Sequence, residues 1–137
     1  MNIDNNLYQE NILDHYNNPR NYGVLKNPHY SSESKNISCG DRICLQILLS
    51  RDINKDAKKI KQIKWSGTGC AICMASASML SIRSAGKKIR DLERLKKKDV
   101  LNLMKISLSP VRLKCALLPL ETLKKVLGLV KDDKDVL

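Results

Sequence analysis

The stretch that most constrains this chain is Trp65-Ser66-Gly67-Thr68-Gly69-Cys70-Ala71-Ile72-Cys73, continued by Met74-Ala75-Ser76-Ala77-Ser78. An apolar, β-branched run with Ile60, Ile63 and Trp65 stops at two glycines and resumes as small residues that suit a helix. The pattern predicts a strand turning sharply into a helix, with Cys70 at or near the helix N-terminus. Gly67 and Gly69 permit backbone geometry that other residues resist, and Thr68 is the expected cap. The free N–H groups and the positive dipole end of a helix favour a thiolate, the form that binds metal or attacks sulfur. A buried cysteine beside a glycine turn equally serves plain packing, so the stretch gains meaning only with partners.

Periodicity sets the elements around it. Tyr8, Ile12 and Tyr16 fall four apart, with Leu13 alongside, which predicts an amphipathic helix over 6–17 ended by Pro19. Residues 17–23 are turn-rich, and 27–38, around Pro28, read as loop. Ile43, Leu45, Ile47 and Leu49 alternate with Cys44, Gln46 and Leu48, the period of a strand. A polar turn over 51–56 leads to a partner strand over 60–66, an antiparallel hairpin, with Val24-Leu25 as the third strand.

The helix from Cys70 runs to about Ala85, with Ile72, Ala75, Met79 and Ile82 on one side and Gly86 as its stop. Residues 87–104 predict two short helices lying on the sheet. Pro110 can start a further helix, with Val111, Leu113, Leu117 and Leu118 around Cys115. Pro119, which has no N–H, is expected to kink or restart that helix. Leu120, Leu123 and Leu127 continue it as far as Gly128, and the tail from Lys131 is expected to fray. The sum is one α+β domain over 1–137, with its core at about 6–128: a leading helix and a small three-stranded antiparallel sheet covered by helices.

The formal charge is +11, from 25 Lys and Arg against 14 Asp and Glu. That balance would suit nucleic acid or an acidic protein, but the cations are spread over 58–64, 87–94 and 96–98 as solvated faces are. No aromatic platform is interleaved with them, so no nucleic-acid partner is expected. The N-terminal residues are polar and unlike a signal peptide, and no apolar run approaches the roughly 20 residues of a membrane helix. These features predict a cytoplasmic protein with no membrane partner. Its five cysteines, an odd number, then suit metal or sulfur chemistry better than a disulfide frame. His15 and His29 lack metal-spaced neighbours and read as packing or surface residues.

Cys39 and Asp41 stand just before the strand over 43–49. In extended chain, residues two apart project the same way, so a thiolate and a carboxylate can face one centre. Cys70 opens a helix, and Cys115 sits in the C-terminal helix after Arg112 and Lys114. Brought to one end of the sheet, three cysteines and one aspartate make a four-ligand set for zinc or a partial shell for iron. Scattered core cysteines would account for the same residues.

Four blocks decide between these readings: Leu7-Tyr8-Gln9-Glu10-Asn11-Ile12-Leu13-Asp14-His15-Tyr16-Asn17-Asn18-Pro19-Arg20-Asn21; Cys39-Gly40-Asp41-Arg42; Gly67-Thr68-Gly69-Cys70-Ala71-Ile72 with Ala75-Ser76-Ala77-Ser78; and Pro110-Val111-Arg112-Leu113-Lys114-Cys115-Ala116. In this order they resemble the iron–sulfur cluster assembly scaffold family, of the IscU, SufU and NifU N-terminal-domain type, over about residues 6–128. The resemblance implies a SufE/NifU-like α+β sandwich and functional positions Cys39, Asp41, Cys70 and Cys115. Lys114 before the last cysteine is similar to the SufU branch, whereas the 45 residues from Cys70 to Cys115 are short, as in IscU. Cys73 stands where the family usually has serine. It is expected to pack, with a spare ligand or a redox partner as the alternatives, and Cys44 is expected to be structural.

By this resemblance, a pyridoxal-phosphate cysteine desulfurase of the SufS or IscS type would present a persulfide to Cys39 or Cys115. Iron and sulfide would assemble as a transient [2Fe–2S] cluster on Cys39, Cys70 and Cys115, with Asp41 as the labile oxygen ligand, for transfer to apo acceptor proteins. Lys114 and Arg112 would lower the pKa of Cys115 or neutralise the anionic cluster. The alternative is a zinc-dependent sulfurtransferase that holds zinc on the same four residues and relays persulfide without a cluster. A third is an adaptor that needs zinc only to fold.

Overall fold

The structure is a computed structural model and describes residues 3–54 and 57–133, with side chains from Gln9 onward. Its elements are α1 (Ile3–Asn17), β1 (Tyr30–Asn36), β2 (Asp41–Leu49), β3 (Ile60–Thr68), α2 (Ala71–Ser84), α3 (Ile89–Leu92), α4 (Lys97–Met104) and α5 (Pro110–Asp132). The strands form an antiparallel meander in the order β1-β2-β3. Ile43, Leu45, Ile47 and Leu49 bury one face of β2, and the register adds Ile63 and Trp65 of β3 to that face. Burying each such side chain contributes about 1.5–3 kcal/mol. Helices α5 and α2 cover this face, and α1 packs on α2.

The third strand is β1, not Val24-Leu25. Its inward positions are hydroxyls, which hide it from hydropathy: Ser34 is buried, Ser32 Oγ donates to the Thr122 carbonyl (2.8 Å), and the Tyr30 hydroxyl donates to Asp133 Oδ2 (2.5 Å). The segment around Tyr22 instead shields the outer edge of β3. Gly23 N–H donates to the Trp65 carbonyl (2.8 Å), and Trp65 N–H donates to the Asn21 carbonyl (3.0 Å). Tyr22 meets the Trp65 ring edge-on, with centroids 4.8 Å apart. A covered strand edge offers no template for another chain.

Three helices depart from expectation. In α1, Ile12 and His15 are buried while Leu13 and Tyr16 are exposed, so the inward stripe is narrower than the tyrosine spacing suggests; the Tyr8 side chain lies outside the described residues. In α2, Ile82 is exposed and the inward surface is largely small residues, including Ser76, Ser78, Ser81 and Ser84. These let α1 and α5 approach closely on two sides. Helix α5 runs unbroken through Pro119 and past Gly128 to Asp132, so neither residue stops it and the tail is helical further than expected. A proline ring withholds the N–H from the carbonyl four residues back, here that of Cys115, and crowds it. One residue further on, the Ser76 hydroxyl donates to the Ala116 carbonyl (2.6 Å) and ties α5 to α2.

Candidate metal centre

The turn over 37–40 joins β1 to β2 and carries Cys39 at the surface, with Gly40 at a φ of 74° that favours glycine. Cys39 and Asp41 therefore do not align along an extended strand as the sequence suggests. The turn folds Cys39 back, and β2 begins at Asp41, which is 3% exposed. Their convergence comes from α5. Cys115 is 1% exposed, and its Sγ lies 3.8 Å from Cys39 Sγ. One ligand atom from each of Cys39, Asp41 and Cys115 falls within 4.8 Å of the others.

Cys70 closes the group from above. It is itself the N-cap of α2, with extended dihedrals (φ −71°, ψ 169°), because β3 runs on to Thr68 and leaves that residue no capping role. Its N–H donates to Asp41 Oδ1 (3.3 Å). Cys70 stands outside the tight trio but close enough to act on the Cys115 thiol. Gly67 makes the approach feasible, since a Cβ there would stand 2.0 Å from the Arg42 carbonyl oxygen.

The donors fit a metal. Asp41 Oδ2 is buried without a hydrogen-bond partner, and among the described residues no ion pair reaches that carboxylate. A buried, uncompensated carboxylate is costly, and a cation offsets that cost. Two sulfurs bound at about 2.3 Å to a tetrahedral zinc stand about 3.8 Å apart, the spacing found between Cys39 and Cys115. Burial pushes the Cys115 thiol well above the ordinary thiol range, and its contacts with Asp41, Cys70 and Cys39 push it the same way. A thiol in that state holds its proton until a metal displaces it.

Lys114 and Arg112 are exposed. Cys44 lies on the other face of β2, beside Ser31 Oγ (3.7 Å). Cys73 is fully buried beside Ile43, Trp65, Ala77, Cys115 and Leu118. His15 Nδ1 pairs with Ser78 Oγ (2.7 Å), and His29 Nδ1 accepts from Leu49 N–H (2.9 Å); neither joins the group. The sequence did not reveal Gly69 as a spacer, although its place between Thr68 and Cys70 was a signal. A Cβ there would stand 3.1 Å from both Asp41 Oδ1 and Cys73 Cβ.

The model of the NifU-like N-terminal domain matches residues 7–132. The chain belongs to the NifU-like N-terminal domain family. Among its relatives is the zinc-dependent sulfurtransferase SufU of Bacillus subtilis, 38% identical over 93% of this chain and 92% of that protein. The iron–sulfur cluster assembly scaffold protein IscU of Thermotoga maritima is 34% identical over 88% and 92%. A crystal structure described as a putative iron–sulfur cluster assembly scaffold for the SUF system, from Fervidobacterium islandicum, superposes with a TM-score of 0.68. It is 30% identical, covering 86% of this chain and 94% of that one. NifU-like relatives thus share both the α+β sandwich and its three-stranded antiparallel sheet with this chain.

Proposed function

We propose that this member of the NifU-like family is a scaffold for iron–sulfur cluster assembly, acting with a pyridoxal-phosphate cysteine desulfurase that supplies persulfide sulfur. The observation that carries the reading is the convergence of Cys39, Asp41 and Cys115 around the unpartnered Asp41 Oδ2. Iron and the nascent [2Fe–2S] cluster are cargo in this reading, held by Cys39, Asp41, Cys70 and Cys115. Cys39, on its exposed turn, is the first thiol an incoming persulfide meets, and Cys115 lies immediately behind it. Attack by a thiolate on the outer sulfur moves the sulfane sulfur onto this chain and returns the donor as a thiolate. Asp41 contributes a hard oxygen to a soft thiolate set, which makes the cargo easier to release to apo acceptor proteins. Lys114, exposed beside Cys115, adds positive charge near an anionic cargo. Among the described residues no helix is long and apolar enough to cross a membrane.

Similarity to the Bacillus SufU and the Lys114-Cys115 pair favour a second reading, a zinc-dependent sulfurtransferase. There zinc sits on the same four residues and Cys39 leaves it to accept sulfur. The test is metal content after anaerobic purification without added metal, with desulfurase turnover measured on the same sample. Little zinc, with iron and sulfide taken up on reconstitution and passed to an apo acceptor, is the scaffold result. Stoichiometric zinc, a colourless protein and raised desulfurase turnover would overturn it in favour of the transferase.

A further inference from the structure

Cys73 has no part in the four-residue set, yet it lies against it. It is the third residue of α2, fully buried, and the Asp41 charge with the Cys70 and Cys39 thiols are its electrostatic neighbours. Cys70, the N-cap one turn earlier, is partly exposed and packs on the cluster that contains Cys73. This pairs an accessible cysteine at a helix start with a sealed one a turn later, the arrangement of Cys-x-x-Cys dithiols. Residues one turn apart hold their Cβ atoms about 5–6 Å apart, and a disulfide needs about 3.5–4.5 Å. Cys70 can close that gap because its backbone is extended rather than helical, follows Gly69, and has no side-chain capping bond to break.

We propose that Cys70 and Cys73 form a reducing dithiol that converts a persulfide on Cys70 into free sulfide. Cys73 Sγ attacks Cys70 Sγ as its proton passes to the departing sulfur, the Cys70–Cys73 disulfide forms, and the bond to the outer sulfur breaks. That sulfur leaves as hydrosulfide with both electrons of the bond. The two sulfurs that become the disulfide are oxidised and the sulfane sulfur is reduced, so one turnover needs no outside electrons. The proton lost by Cys73 is available to the departing sulfide, and a cellular thiol reductant resets the pair. Sulfide, the form a cluster requires, then appears beside Cys39, Asp41 and Cys115. Cys73 suits the resolving role because its burial keeps it from external sulfur donors and because the ligand set does not use it. The inference rests on the proposed acceptance of persulfide sulfur, with the Cys70 thiolate attacking the outer sulfur of a persulfide held first on Cys39 and returning Cys39 as a thiolate.

The experiment uses the metal-free chain under anaerobic conditions, loaded with sodium tetrasulfide and freed of excess by desalting. Sulfide released afterwards is assayed, and proteolytic peptides are mapped by mass. The segment 65–83 lies between Lys64 and Ser84 after tryptic cleavage and carries both cysteines. The expected result is about one sulfide per chain and a 65–83 peptide two hydrogens lighter than its dithiol form. Cys73→Ser and Cys73→Ala should retain one extra sulfur and lose nearly all sulfide release. The wild-type peptide map decides the matter even if both variants fold poorly. A wild-type chain that keeps its extra sulfur and releases no sulfide overturns the dithiol while leaving persulfide acceptance intact. Sulfide release accompanied by a Cys39–Cys115 disulfide overturns it too. A chain that gains no sulfur in any form overturns both readings.

Discussion

Gly69 lets the Asp41 carboxylate and Cys73 pack against the same stretch of backbone by having no side chain: a Cβ at this position would lie 3.1 Å from Asp41 Oδ1 and from Cys73 Cβ. The three residues belong to the end of β2 and the start of α2, so the spacing of those two elements is set where the ligands are. Gly69→Ala should cost about 1–2 kcal/mol of stability, because these packed neighbours must yield by a few tenths of an ångström. It should weaken zinc binding more than it weakens the fold, as read by chelator competition against chemical denaturation. Equal losses would mean the glycine serves the fold alone. Gly67→Ala is the severe counterpart. Its φ of 148° and the 2.0 Å approach to the Arg42 carbonyl should cost more than about 3 kcal/mol and leave little folded protein.

Asp41 should have opposite effects with and without metal. Its Oδ2 is buried and unpartnered, so Asp41→Asn should raise the melting temperature of the metal-free chain by a few degrees, about 1 kcal/mol. The same substitution should lower zinc affinity. Asp41→Ala should prolong the life of a reconstituted cluster by removing the weakly held oxygen ligand. A cluster that decays faster in this variant would rule out a labile role for Asp41.

His15 should make stability depend on acid. Burial first, and then the Arg20 charge, hold its pKa below the usual 6.5. The unfolded chain therefore takes up the proton before the folded one, so stability is intact above about pH 6.5 and falls as the pH drops below it. The Ser78 hydroxyl accepts from Arg20 N–H (2.9 Å) and pairs with His15 Nδ1 (2.7 Å), which holds the ring in its buried position. Proton NMR titration, with His15→Gln for assignment, should place this transition below that of a free histidine. A midpoint at or above 6.5 would show that the contact with Ser78 does not exclude the proton.

Lys124 should act as a local fastener. Its ammonium donates to the Leu92 carbonyl (3.4 Å) and to the Glu93 carbonyl, two groups at the end of the four-residue α3. Lys124→Met keeps the apolar stem and removes the donor, at a cost of about 1 kcal/mol. Hydrogen exchange should speed up over 89–95 while β2 and β3 stay protected. Uniform acceleration across the sheet would instead indicate a global role.

How much of this was legible follows from what each element uses to hold itself. Strand β2 was readable because Ile43, Leu45, Ile47 and Leu49 alternate strictly, and the cysteine blocks were readable because thiols and glycines are rare residues with few uses. Strand β1 was not, since Ser32 and Ser34 face inward where an apolar residue would have announced a strand. Cys70 rather than Thr68 became the cap because pairing of Thr68 with Arg42 extends β3 by two residues, a tertiary preference invisible locally. Pro119 does not end α5, because the buried residues on both sides of it hold the helix against the core, a tertiary contribution that local propensity does not show. Proximity of Cys39 to Cys115 across 76 residues is a property of the finished packing.

Strand β1 also bears on the order in which the protein is made. The acceptor of its Ser32 hydroxyl is 90 residues further along, and that of its Tyr30 hydroxyl is 103 residues further. At about 5–20 residues per second, a ribosome needs roughly 5–20 s to deliver that cover. Until then the sheet's first strand has no roof, and the turn bearing Cys39 has no Cys115 behind it. The nascent chain thus keeps its ligand thiols apart until α5 has been made, which postpones premature capture of metal or sulfur until that helix is in place.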